Sequence, residues 1–300
     1  MRYDKSPKTF EQQADILISR GLIANRNTLI EKLFFINYYR LSGYLYPFRK
    51  LDSDDYKPGT SLDIIMKRYE FDHCLRVLVF DAIECIEVAV RTQLVYKFSH
   101  LYGPFGYLDI NNLPKLEQER YDNWINSLKA ETERSAEKFV DHFNTKYGDR
   151  HDMLPMWMVA ELMSFGTTLT LFRGVEVRIK QEMAKIYYIT DAILFSWLNT
   201  IYTVRNICAH HGRLWNRTFG YWIKLPKPRK YPEWHYPVPI PREKLFGVLT
   251  IMKYMLNIID PRNNWSQNLK ELLVKYNDIP KRSMGFPDNW LESELWKDIQ

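Results

Sequence analysis

Between Leu62 and Phe98 the apolar positions recur in steps of three and four: Leu62, Ile65, Met66, Tyr69, Leu75, Leu78, Val79, Ala82, Ile83, Ile86, Ala89, Val90, Leu94 and Phe98. A spacing held over about ten turns predicts one long helix with an apolar face. Thr9-Phe10-Glu11-Gln12 reads as a capping box that opens a helix over 9–20, ended by Gly21. A second helix is expected over 28–39, then an aromatic turn from Leu41 to Phe48, then a polar, punctuated stretch from Asp52 to Gly59. Further along, helical patterning covers 114–146 up to a break at Gly148, the stretch from Pro155 to 164, and 168–188. The segment Ala192–His211 is apolar at helical period and closes at Gly212, a natural left-handed residue after a helix end. Six prolines at 226, 228, 232, 237, 239 and 241 forbid helix there and predict an extended, semi-rigid connector. Helices over 242–259 and 265–276 follow, and Met284-Gly285-Phe286-Pro287 is expected to dock by its aromatic residues.

No segment alternates with period two, so the fold class is all-α, a bundle of long helices. The punctuation divides the chain into an N-terminal helical region 1–59, a helical domain 60–260 and a tail 261–300. Two one-turn pairs on the long helix, Asp72 with Arg76 and Glu87 with Arg91, read as helical salt bridges of about 0.2–0.5 kcal/mol each.

Composition narrows the function classes. The 300 residues are 46% hydrophobic and 26% charged, which excludes a disordered chain. No apolar run is long enough to span a bilayer, and no apolar core follows Met1-Arg2-Tyr3-Asp4-Lys5, so neither membrane spanning nor secretion is expected. Cys74, Cys85 and Cys208 are odd in number without a C-x-x-C spacing, which fits a reducing cytoplasm better than a disulfide framework. The net charge is +6, yet Arg205–Arg242 alone holds eight Lys or Arg against one acid, Glu233. Within it Arg213, Trp215, Arg217, Lys224, Lys227, Arg229 and Lys230 interleave cations with aromatic rings, the pairing that single-stranded RNA binding uses. The competing reading is that the aromatics are core and the charges their solvated rim.

The candidate chemistry lies at the end of the apolar helix 192–211. Asn206 and His210 are four apart, hence on one face, and Arg205 on the flank is long enough to reach the same point. The C-terminal dipole favours a cation there, which suits an imidazole that takes and returns a proton. Arg205 can clamp a phosphate, and Asn206 can orient the imidazole or bond the scissile phosphate. These groups suffice for RNA cleavage by the 2′-hydroxyl, a reaction that carries its own nucleophile and calls for no metal or cofactor. His211, about 100° round the helix from His210, is the lesser candidate for a second proton-transfer group. The spacing by itself is weakly specific, since Arg68 with His73 and Arg229 with His235 match it too. Cys208 with His210 and His211 fits no common zinc pattern.

Beyond that motif, the chain resembles the Abi-like family of bacterial abortive-infection proteins, a branch of the HEPN ribonuclease superfamily. The resemblance rests on Ile36-Asn37-Tyr38-Tyr39-Arg40-Leu41-Ser42-Gly43-Tyr44, Tyr69-Glu70-Phe71-Asp72 with Leu75-Arg76, and Ile86-Glu87-Val88 with Arg91-Thr92. It continues through Pro155-Met156-Trp157-Met158, Glu161 with Ser164-Phe165-Gly166, and Arg205-Asn206-Ile207-Cys208-Ala209-His210-His211 with Arg213-Leu214-Trp215-Asn216-Arg217. These blocks occur in order over most of 30–220. The resemblance implies a HEPN-like helical fold, metal-independent endoribonuclease activity in anti-phage defence, and Arg205, Asn206 and His210 as the catalytic set. It also implies a homodimer that apposes two such helices, in which the second copy supplies the second His. Some relatives are encoded beside a structured non-coding RNA, which places that RNA as a possible partner on the basic segment 213–242. Two positions after the His, where some superfamily toxins carry a Tyr that is modified, this chain has Gly212. The alternative reading is an RNA-binding protein that holds a structured RNA without cutting it. A helical scaffold for a protein partner is the third.

Overall fold

Among the described residues, long runs of helix-compatible sequence fold into twelve α-helices, with no strand and only isolated bridges. The computed structural model describes Arg2 and residues 6–299, with side chains as far as Lys297. The chain forms two compact units: one up to Val77 joined by Lys270–Pro280, the other Leu78–Leu269 joined by the chain from Lys281 on. The expected boundary at 52–59 thus falls inside the first unit, and the expected tail 261–300 is shared between the two.

In the first unit, α1 (Phe10–Ser19) opens on the capping box: Thr9 Oγ1 accepts from Gln12 N, and Gln12 Oε1 accepts from Thr9 N. The segment expected as one helix and a turn is two helices, α2 (Arg26–Ile36) and α3 (Tyr38–Leu45). Asn37 separates them at φ 71° and ψ 141°, a positive φ outside the left-handed helical region, and its side chain then caps α3 by accepting from Tyr39 N. The long helix α4 (Leu62–Tyr102) begins in this unit. Its Asp72–Arg76 pair is not the exposed pair its spacing suggests: both are buried, and the Tyr44 hydroxyl donates to Asp72 Oδ2 at 2.5 Å. Burial first, and the Asp72 charge second, push the Tyr44 phenol well above its ordinary value.

In the second unit, two stretches expected as single helices are each divided. The first is α5 (Gln118–Arg134) and α6 (Lys138–Tyr147), parted where Ser135 and Glu137 take extended backbone. After the short α7 (Met156–Val159) come α8 (Phe165–Gly174) and α9 (Val177–Ile186). Gly174 ends α8 against Leu113 and Leu116, where an added Cβ would lie 2.8 Å from Leu116 Cγ. The helix α10 (Asp191–Ala209) buries Leu194, Trp197, Leu198, Ile201 and Val204, each worth about 1.5–3 kcal/mol when fully removed from water. Its partner α11 (Leu245–Ile259) is buried almost all round, as expected of a helix apolar on every face. The last helix, α12 (Trp265–Lys275), starts in this unit, where Trp265 Nε1 donates to Leu78 O at 2.8 Å, and from Lys270 on it belongs to the first unit. Phe286, Trp290 and Trp296 gather round Phe246 of α11, so the aromatics after α12 dock as expected.

The proline-rich stretch, expected as an extended, semi-rigid connector, packs against the helices. It buries Ile223, Pro226, Trp234 and Val238 and is strapped along α10 and α11. Trp197 Nε1 donates to Lys224 O at 2.8 Å, Lys224 N to Ser196 Oγ at 3.0 Å, and Arg242 Nε to Ile223 O at 2.8 Å. Apart from a 3-10 turn at Pro232–Trp234, the segment has no helix or sheet of its own and satisfies its backbone on neighbours through such contacts.

Candidate functional site at the end of helix α10

The core face of α10 fixes what its other face presents. With Ile201, Val204 and Cys208 turned inward, Arg205 and Asn206 are left half-buried and His210 exposed. The helix closes in a Schellman motif: Gly212 N donates to Ile207 O at 2.7 Å and His211 N to Cys208 O at 3.0 Å. The left-handed residue is therefore His211, at φ 56°, and not Gly212 as the sequence suggests. Gly212 is needed for a different reason, since a Cβ there would meet Ile207 O and Cγ2 at 3.2 Å. Glycine normally occupies the position His211 holds, and another residue in left-handed backbone costs about 1 kcal/mol. His211→Gly is expected to raise stability by about 1 kcal/mol, seen as a rise of about 2–4 °C in melting temperature. If that variant still acts as the wild type does, His211 has no part in the chemistry.

Across from Arg205, α4 supplies one face: Phe80, Glu84, Glu87 and Arg91, at successive steps of four, three and four. The Arg205 guanidinium carbon lies 6.0 Å from the Phe80 ring centroid. Burial raises the Glu87 pKa above its ordinary value, and the positive charges of Arg205 and then Arg91 partly offset that rise. Arg91 donates from Nη1 to Met163 O at 3.1 Å and places Nη2 3.9 Å from Glu161 Oε2. Its distance to Glu87 is 4.0 Å, so the expected Glu87–Arg91 bridge is stretched. Glu87 instead shares its field between two arginines. Arg205 Nε is buried without a hydrogen-bond partner.

The structure brings Arg205, Asn206, His210 and His211 together within the last turns and cap of one helix, as their spacing requires. It does not gather the basic segment with them. Arg213 and Arg217 stay close behind α10, with Arg217 Nε donating to Arg213 O at 2.8 Å. Lys224, Lys227, Arg229 and Lys230 are exposed, and Lys224 is fastened beside Ser196 and Trp197 near the start of α10. Trp215 corrects the expectation outright: it is 2% exposed, so its ring packs in the core and offers no face to a base. Trp222, 67% exposed with the Arg242 guanidinium 5.2 Å from its ring centroid, reaches solvent beside a cation. Phe80 was not singled out by sequence, and the signal for it is its register with Glu84, Glu87 and Arg91 on one face of α4. Among the described residues no group of three His, Cys, Asp or Glu is placed to hold a metal ion, and no helix is long and apolar enough to cross a membrane.

The family model described as Abi-like protein matches residues 31–216, more than half of the chain. Phe80, Glu87, Arg91 and Arg205–His211 all lie within that match, whereas Lys224, Lys227, Lys230 and Arg242 lie beyond it. No curated protein and no solved structure matches the chain.

Proposed function

The chain belongs to the Abi-like protein family, and from that premise we propose that it serves abortive-infection defence as a HEPN-type, metal-independent endoribonuclease. The observation that carries this reading is the arrangement at the end of α10, where Arg205 stands half-buried next to Asn206 and His210 is exposed at the cap. A phosphate oxygen bound by the guanidinium makes a hydrogen bond between charged groups, worth about 1.5–3 kcal/mol. Arg205 binds the scissile phosphate and offsets the charge that builds up on it in the transition state. Asn206 holds the phosphate or the imidazole in register. His210 takes the proton from the 2′-hydroxyl or delivers one to the 5′-oxygen leaving group, and a second copy in a homodimer brings the other His. Glu87 is a positioning residue, whose carboxylate attracts Arg205 from the facing helix.

The test is incubation of the protein with a mixture of tRNA and mRNA in EDTA, with the product ends mapped. Ends carrying 2′,3′-cyclic phosphate are the expected result. Hydroxyl 3′ ends, or cleavage only after a metal is restored, would refute the mechanism. The exposed Lys224, Lys227, Arg229 and Lys230 favour a second reading, a protein that holds a structured RNA without cutting it. Retention of RNA with a steep loss of affinity in salt and no scission is the result that reading expects.

A further inference from the structure

At the start of α10, a helix length of about 28 Å from His210, the second unit contains a cavity of about 570 Å³. That volume is within the range of about 300–1,000 Å³ typical of small-molecule sites. Its walls are the corner between α9 and α10 on one side and the proline-rich strap on the other. Five cations line it, Lys185, Lys224, Lys227, Lys230 and Arg242, with no carboxylate among the lining residues. Five like charges round one hollow repel each other, and the arrangement is relieved by a ligand that brings negative charge. The fold fixes the backbone of Lys224 through its bonds to Ser196 and Trp197, and the guanidinium of Arg242 through Nε to Ile223 O.

Apart from Thr190, the remaining lining is aromatic and aliphatic, which a bare phosphate has no use for. Tyr188 and Tyr231 stand at the cavity, with Ile189 and Ile193 beneath. Tyr188 is 69% exposed and sits at φ 55°, at the left-handed position of the Schellman motif that ends α9. The motif is complete, with Tyr188 N donating to Lys185 O at 3.1 Å and Ile189 N to Ala184 O at 3.2 Å. The Tyr231 hydroxyl donates to the Tyr188 carbonyl, which fastens the strap to this corner. A tyrosine in strained backbone, its ring in solvent beside a cationic hollow, earns nothing from packing.

We propose that this cavity binds a nucleotide, its phosphate among Lys224, Lys227 and Lys230 and its base on the Tyr188 ring. The nucleotide is either a free one or a single residue of an RNA strand, since both present the same phosphate and base. The site is separate from the cleavage chemistry at the other end of α10, so its test reads binding and is independent of scission.

Equilibrium dialysis of the full chain in EDTA, with radiolabelled AMP in one arm and a short oligoadenylate in the other, tests this directly. Retention of AMP identifies a free nucleotide, and retention of the oligoadenylate alone identifies a strand. Either one supports the proposal if Tyr188→Gly and Lys227→Glu each weaken it about tenfold or more. Tyr188→Gly keeps the fold safe, because glycine suits the left-handed position, and its melting temperature is expected to equal or exceed the wild type's. Failure of the wild type to retain either probe overturns the proposal. So does unchanged binding in both variants, and so does pyrophosphate competing as well as AMP with Tyr188→Gly without effect, which describes an anion site with no base contact.

Discussion

His210→Ala is expected to lower RNA cleavage by about 10²- to 10⁴-fold, the usual contribution of a positioned proton-transfer group. The side chain is exposed at the cap of α10, and its backbone N–H donates to Asn206 O at 3.0 Å, a bond that alanine keeps. Stability should therefore stay within about 0.5 kcal/mol of the wild type, as for most surface substitutions. Activity and a denaturation curve measured on the same preparation separate the possible roles. Loss of cleavage with an unchanged curve is the catalytic outcome. Loss of cleavage together with early unfolding makes His210 a structural residue, and retained cleavage removes it from the chemistry.

The largest effect on stability is expected far from the candidate site, at Asp72. Its carboxylate is 0% exposed, pairs with the buried Arg76 and accepts from the Tyr44 hydroxyl. Removing it by Asp72→Ala leaves a guanidinium in the core without its counter-charge, which costs about 3–5 kcal/mol. That is a large share of the roughly 5–15 kcal/mol that folded domains have in total. Replacing the whole network by apolar groups of similar size, Asp72→Leu with Arg76→Met and Tyr44→Phe, is expected to be nearly neutral. Chemical denaturation of both variants checks the pair of expectations. A loss below about 1 kcal/mol in the single variant would mean that water reaches the pair, as at an exposed bridge.

Much of this was legible along the chain. The spacing of Leu62 to Phe98 announced α4, the Thr9–Gln12 box announced α1, and the period of Ile193 to Val204 announced α10, because local hydrogen bonding and one apolar face suffice for a helix. Interruptions were harder to see. Asn37, the Ser135–Glu137 stretch and the Gly174–Glu176 corner each divide a helix-compatible run, and each does so where packing or a side-chain cap rewards a bend that propensity alone does not require.

The candidate site divides in the same way. That Arg205, Asn206 and His210 share the end of one helix is a matter of 3.6 residues per turn, and sequence by itself determined it. Which neighbours they meet is not local: Phe80 and Glu87 stand more than a hundred positions earlier and reach Arg205 only because α4 packs in the same unit. The same holds for the basic segment, whose charge was plain in the sequence. Only the tertiary structure decided that Trp215 is core, that Trp222 is surface, and that Lys224, Lys227 and Lys230 line a hollow at the opposite end of α10. Composition sets how much charge and aromatic surface a segment carries, whereas burial is a property of the contacts between segments, which no single stretch of chain contains.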